Sequence, residues 1–322
     1  MILWIQQQFL RFWQGWDRFW FTPADPTATA ILRILVGGML LYTHCVWGLR
    51  LEDFLGDQGW NHRSLVASLQ ADSRPPSFWW LVPSAWLVPV HWFCNGLLLA
   101  FVLGLGGRFI SVAAWIITIS YAHRGMLSNF GLDQLNSILT LYLAIGPCTQ
   151  VLSLDALRRR YRTGKATVPL PSITANVSLR LVQLHLCLIY LWAGFGKLQG
   201  DSWWNGEAVW LAIANTEYRS FDLTWLAHFP RLTELLTHMT IAWEVFFIAL
   251  VWPRAIRGWV LAMGIGMHLG IGAFLGMWTF GLIMIFAYVA FIPSEVLRHL
   301  LGRYHPGHPQ PSEASPHLVL AS

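Results

Sequence analysis

The feature that most constrains this chain is a recurring apolar run, about 15–22 residues long, that returns from residue 28 to residue 292. A helix rises 1.5 Å per residue, so about 20 apolar residues match the roughly 30 Å hydrocarbon layer of a bilayer. Water is a poor solvent for such a chain. Its 322 residues are 55% hydrophobic and 11% charged, against roughly 25% charged in soluble domains, so a soluble fold would lack polar residues for its surface. The expected fold class is all-α: a polytopic integral membrane helical bundle.

Eight crossings are expected, at about 28–49, 85–106, 109–122, 134–152, 179–198, 234–252, 255–276 and 278–292. The third is short, and either runs past His123 or enters a thinned region of the bilayer. Residues 1–20 alternate bulky aromatics with Gln, Arg and Asp, the pattern of an interfacial amphipathic helix lying in the headgroup layer. Residues 21–295 form the transmembrane domain, started by Pro23 and Pro26. Residues 296–322 are rich in proline and polar residues and read as a disordered tail. An even number of crossings puts both termini on one side. With that side cytoplasmic, the inner segments hold twelve basic residues and the outer ones six, as the positive-inside rule requires. The protein is therefore expected to be integral to the cell membrane with both termini in the cytoplasm.

The formal net charge of +5 does not point to nucleic acid, because the one dense basic cluster, Arg158 to Lys165, joins two membrane-length runs. Lipid is the expected partner. Cys45, Cys94, Cys148 and Cys187 lie in apolar stretches without a CxxC pair, so they read as buried thiols. No metal is expected: HExxH is absent, and His305 and His308 of the tail sit among prolines.

The informative residues are the polar ones that interrupt the runs. Lys197 falls near the far end of the fifth run, where a charge costs several kcal/mol (~2.5–3.5) unless it snorkels, pairs or functions. Asp201 is available to it at i,i+4, and Trp203 and Trp204 follow as belt residues. Glu244 and His268 lie near the middle of their runs and cannot easily reach water; they are expected to pair with each other or with Arg33. Arg33 itself is close enough to its helix start to snorkel. Tyr190 precedes Lys197 by seven residues and shares its face. His123, Arg124, Asn129 and Asp133 belong to one outer-side loop, the best companions for Lys197 by topology.

Five segments then carry a resemblance: TPADPTATAILRI at 22–34, SYAHRGMLSNFGLDQLN at 120–136, SLD at 153–155, IYLWAGFGKLQGDSWWNGEAV at 189–209 and GMHLGIGAFLGMWTFGLIMI at 266–285. Together they resemble the HTTM (horizontally transferred transmembrane) family, related to the membrane region of vitamin K-dependent gamma-carboxylase. The resemblance implies Lys197 as the base that deprotonates a vitamin K-like hydroquinone, with dioxygen and carbon dioxide as co-substrates and a glutamyl peptide or protein as acceptor. Around that base Asp133, His268 and His123 are the candidate catalytic companions, and Tyr190, Trp203, Trp204, Glu244, Asn129 and Arg124 the candidate substrate- or cofactor-binding residues. The chain departs from the carboxylase at Gly131-Leu132-Asp133, where that enzyme has an Asn-His pair, and at Gly270-Ile271-Gly272, where it has Asn-Ser. The alternative is a non-enzymatic membrane protein that binds a lipid, peptide or protein partner, with Lys197 and Asp201 structural.

Overall fold

The computed structural model describes residues 1–164 and 169–302. Lys165 of the basic cluster and residues 303–322 of the tail, with His305 and His308, lie outside the described residues. Among the described residues every regular element is helical. In order these are α1 (Ile2–Phe21), α2 (Thr27–Gly48), α3 (Leu51–Leu55), α4 (Arg63–Leu69), α5 (Leu87–Leu103), α6 (Gly107–Arg124), α7 (Gly131–Ile145), α8 (Leu154–Thr163), α9 (Ile173–Lys197), α10 (Asp201–Trp204), α11 (Ala208–Ala214), α12 (Pro230–Leu250), α13 (Arg254–Leu275), α14 (Trp278–Ala287) and α15 (Ser294–Leu300).

Among the described residues, five helices are long and apolar enough to cross a membrane: Thr27–Gly48, Ser84–Leu103, Ile173–Lys197, Pro230–Leu250 and Arg254–Leu275. A sixth would come from Trp278–Phe291 with Ser294–Leu300, a pair bent by 112°. The expected run 109–122 lies within α6, which has 18 residues. The expected run 134–152 is helical only to Ile145. Pro147 disfavours helical backbone at Gly146, which is extended at ψ 163°, and the chain then turns through 146–152. The segment expected to be a disordered tail begins with α15, whose Arg298 pairs with Asp25 at 3.0 Å.

Arg33 organises that turn. It was expected either to snorkel or to act as an internal partner, and its residue is 0% exposed. Its Nη1 donates to Cys148 O and its Nη2 to Leu152 O, each at 2.6 Å. Two carbonyls freed by the end of α7 thus find a charged donor, and the guanidinium finds acceptors without reaching water. The fit depends on Gly104, which closes α5 at φ +69°. A Cβ there would strike Ser153 and come within 2.7 Å of Arg33 Nη1, so neither the backbone nor the space admits a larger residue. Leu152 itself is held at φ 52°, an uncommon conformation for leucine.

The amino-terminal helix meets the body at its end. Asn176 donates to Phe19 O and Trp20 O, both at 2.8 Å, and the Arg180 guanidinium lies 4.3 Å from the Phe19 ring. The rest of α1 turns Trp4, Phe9, Phe12, Trp13 and Trp16 outward. A two-way backbone pairing of Ala24 with Ser172, at 3.0 Å in each direction, fixes the entrance of α2 beside the entrance of α9.

Within the bundle α9 packs closely along α12. Helices in lipid lack a hydrophobic drive toward each other and associate by close packing of small residues. Gly194 supplies that contact: a Cβ there would lie 2.7 Å from Val245 Cγ2 and 3.4 Å from Glu244 Cβ. The closeness of these helices positions the site described next.

Candidate functional site

Lys197 is the last residue of α9, where a cation also meets the negative end of the helix dipole. Glu244 stands across from it on α12. The Lys197 Nζ donates to Glu244 Oε1 at 2.9 Å and lies 2.8 Å from Oε2, which accepts no hydrogen bond. The side chains are 24% and 7% exposed, so the carboxylate is the more deeply enclosed. On its other side the ammonium lies 5.2 Å from the centre of the Trp203 ring, within reach of cation–π attraction. Asp201, the expected i,i+4 partner, is exposed and is not the carboxylate that binds Lys197.

Two turns back along α9, Tyr190 is 2% exposed. Its hydroxyl is 2.7 Å from His268 Nε2 on α13 and 2.5 Å from the Tyr288 hydroxyl just beyond α14. A phenol hydroxyl donates one proton and accepts others, so Tyr190 can link both partners. Trp243 and Phe247 of α12 enclose its ring, with centroids at 4.7 and 4.6 Å. The indole N–H of Trp243 donates to Val260 O at 3.0 Å and ties α12 to α13. His268 Nδ1 is buried without a hydrogen-bond partner. The ion pair and this network adjoin along the α9–α12 contact, since Trp243, next to Glu244 in the chain, packs against the Tyr190 ring.

The structure therefore brings together Lys197, Glu244, Trp203, Tyr190 and His268. The expected pairing of Glu244 with His268 or Arg33 is replaced by Glu244 with Lys197, because Arg33 is engaged at the α7–α8 turn. Trp204 is exposed and donates to Leu198 O at 2.8 Å, bracing the turn after α9. The outer-loop set is engaged locally. His123 Nδ1 lies 2.7 Å from Pro76 O, Asn129 donates to Ala122 O at 2.5 Å, and Asp133 Oδ2 accepts from Phe130 N at 3.0 Å. Arg124, 4% exposed, donates to Asn61 O and to Leu55 O. Among the described residues none of these four bonds to Lys197 or Glu244.

A second polar cluster was missed in the sequence. His91 Nδ1 is 2.6 Å from the Tyr121 hydroxyl, Asn95 reaches His91 Nε2 at 3.0 Å, and the His44 ring meets Tyr121 edge-on at 4.4 Å. His44 and His91 interrupt apolar helices just as His268 does, and that signal would have found them.

Cavities open elsewhere, in the cap formed by residues 50–86. The larger, of about 480 Å³, is walled by Asp57, Arg63, Ser64, Ala67, Arg74 and Trp80. Comparison with family models, curated proteins and solved structures finds no match to this chain.

Proposed function

We propose that this chain is an integral membrane protein of the HTTM kind, crossing the bilayer about eight times with both termini cytoplasmic, and that Lys197 and Glu244 form the proton-handling centre of a quinol-using, gamma-carboxylase-like enzyme. In this reading α6, α7 and α14 complete the eight crossings, as short helices in a locally thinned layer, and α1 lies along the headgroups through its outward aromatics.

The observation that carries the enzymatic reading is the contact of a lysine with a carboxylate, at 2.8 Å, at the edge of an apolar bundle. Moving a proton from Lys197 to Glu244 leaves a neutral amine and a neutral acid with no change in net charge. Burial disfavours two separated ions far more than two neutral groups, so the surroundings lower the cost of that transfer. A neutral Lys197 then accepts a proton from a ring hydroxyl, and the ammonium so formed stabilises the negative charge left beside it. His268 Nδ1, buried without a hydrogen-bond partner, fits a hydroxyl-bearing ring, and Trp203 offers a flat apolar wall. Glu244, His268 and Trp203 would hold it. A hydroquinone, when bound, would supply the electrons that dioxygen takes, and that oxidation would supply the strong base that removes a glutamyl gamma proton so that carbon dioxide can add.

A second reading has its own support. Lys197 and Glu244 already neutralise each other, and Lys197 is not among the walls of the 480 Å³ cavity, so the pair also serves as a structural tie between α9 and α12. Lys197→Arg separates the two, since arginine keeps the charge and the carboxylate contact but does not deprotonate. Purified protein in nanodiscs, given a vitamin K-type hydroquinone, dioxygen, a glutamyl peptide and labelled bicarbonate, is expected to form epoxide and fix label on the peptide. The arginine variant should stay folded and lose at least about a hundredfold in rate. Retained turnover in the variant, or no quinol turnover in the wild type, overturns the enzymatic reading and leaves the structural one.

A further inference from the structure

The cap between α2 and α5 is built with more care than a connecting loop requires. Ser77 donates to Ser120 O at 2.8 Å, Gln70 to His123 O at 3.0 Å and Asn61 to Ser128 Oγ at 2.7 Å, so the segment is fastened to the end of α6. Three arginines converge on Trp80 and its surroundings. The Arg74 and Arg124 guanidinium carbons lie 5.1 and 5.5 Å from the Trp80 ring centre, and Arg63 walls the cavity that Trp80 and Arg74 also line. The only carboxylate on that wall is Asp57, whose Oδ1 accepts from Ser84 at 2.8 Å. Two cations against one anion on that wall, with Arg124 a third at the Trp80 ring, leave an excess of positive charge, and none of the three arginines forms an ion pair among the described residues.

Two arginines are held in place by the backbone. Arg63 Nη2 donates to Trp79 O at 3.1 Å and Val82 O at 2.5 Å, and Arg124 donates to Asn61 O and Leu55 O. Carbonyl partners orient a guanidinium without cancelling its charge. Arg74 is exposed and makes no hydrogen bond among the described residues, so its whole fork is available. The Trp80 indole N–H is buried without a partner on the cavity wall, a donor with nothing to donate to. Beside it a smaller void of about 20 Å³, bordered by Asp57, Arg63, Arg124 and Trp79, has room for one water. Trp79 is 2% exposed and its N–H is also unpartnered.

We propose that this cavity binds a phosphate-type oxyanion, with Arg74 as the free clamp, Arg63 as a fixed charge on the wall, Arg124 as a further fixed charge at the Trp80 ring and the Trp80 N–H as a neutral donor. Planar arginine forks match the oxygens of phosphate, and an indole N–H completes the donor set. The same chemistry is offered by the headgroup of an anionic lipid and by a free phosphate.

Two variants change the charge in opposite directions at positions that do not hold the cap together. Arg74→Gln removes the clamp, and Asp57→Asn removes the opposing carboxylate while keeping an oxygen for Ser84. Full-length protein in detergent is titrated with inorganic phosphate by calorimetry, and its retention of phosphatidylglycerol over phosphatidylcholine is read by native mass spectrometry. Binding of either probe should fall about tenfold in Arg74→Gln and rise in Asp57→Asn. Phosphate binding identifies a free anion as ligand, and selective phosphatidylglycerol retention without it identifies a headgroup. The proposal is overturned if the wild type binds neither probe, or if both variants bind as the wild type does. Circular dichroism of each variant establishes that a loss is not unfolding.

Discussion

Breaking the Lys197–Glu244 pair from each side should give unequal losses. At 2.8 Å and an effective dielectric of about 20, two unit charges attract by about 6 kcal/mol, while each ion forfeits several kcal/mol of hydration on burial. The net worth of the pair is therefore small, yet the cost of leaving one member alone is not. Lys197→Met strands a carboxylate that is 7% exposed, and about 3–5 kcal/mol should be lost. Glu244→Gln strands a lysine that is 24% exposed and rests near the Trp203 face, so about 1–2 kcal/mol should be lost. The double variant carries neither charge and should lose only about 1 kcal/mol, giving a coupling of about 3–6 kcal/mol. Reversible unfolding in mixed dodecylmaltoside and dodecyl sulfate micelles measures all four corners of the cycle. If the single losses add to within about 0.5 kcal/mol, the two groups do not interact and the reasoning fails.

Three further outcomes are expected. Arg33→Met should cost about 3–6 kcal/mol in the same assay, because Cys148 O and Leu152 O both lose a charged donor in a site that is 0% exposed. Gly194→Ala should cost about 1–3 kcal/mol by forcing α9 from Val245, and a cross-linking pair placed across α9 and α12 should react more slowly. On the exposed turn at Asp222, the Thr224 hydroxyl and then its N–H hold the carboxylate below its usual range. The stability this gives is present above the ordinary carboxylate pKa of about 3.9 and is lost as pH falls through the lower folded value. Thr224→Val should move the Asp222 titration, followed by carboxyl carbon NMR, back toward the ordinary value.

Apolar length was the most legible property of the chain, and it marked all five membrane-length helices. Polarity inside those lengths was the next: Lys197, Glu244 and His268 stood out as costly, and Tyr190 was placed on the face of Lys197. Their pairing was not legible, since the partners are 47 residues apart and hydropathy gives the length of a run without the rotation of one helix against another. Arg33 was left between snorkelling and an internal partner for a related reason. Snorkelling follows from distance to a helix end, whereas its true partners are carbonyls exposed by the Gly146-Pro147 break, seated in a hole that only Gly104 leaves open. His123, Arg124, Asn129 and Asp133 were grouped by topology, and each is instead held by a bond within its own cap or helix start. Topology placed them on one side without setting their distance from Lys197.

The Arg33 clamp also sets a clock. Its acceptors follow it by 115 and 119 residues, so at a synthesis rate of roughly 5–20 residues per second they are made about 6–24 s after it. For that interval the guanidinium of the first membrane-length helix has no native partner, and a lone arginine in hydrocarbon is not tolerated cheaply. α2 cannot settle on its own. In the proposed membrane reading it waits at the insertion machinery or at the water interface until the α7–α8 turn arrives, which makes the first membrane-length helix to be translated one of the later ones to be locked in.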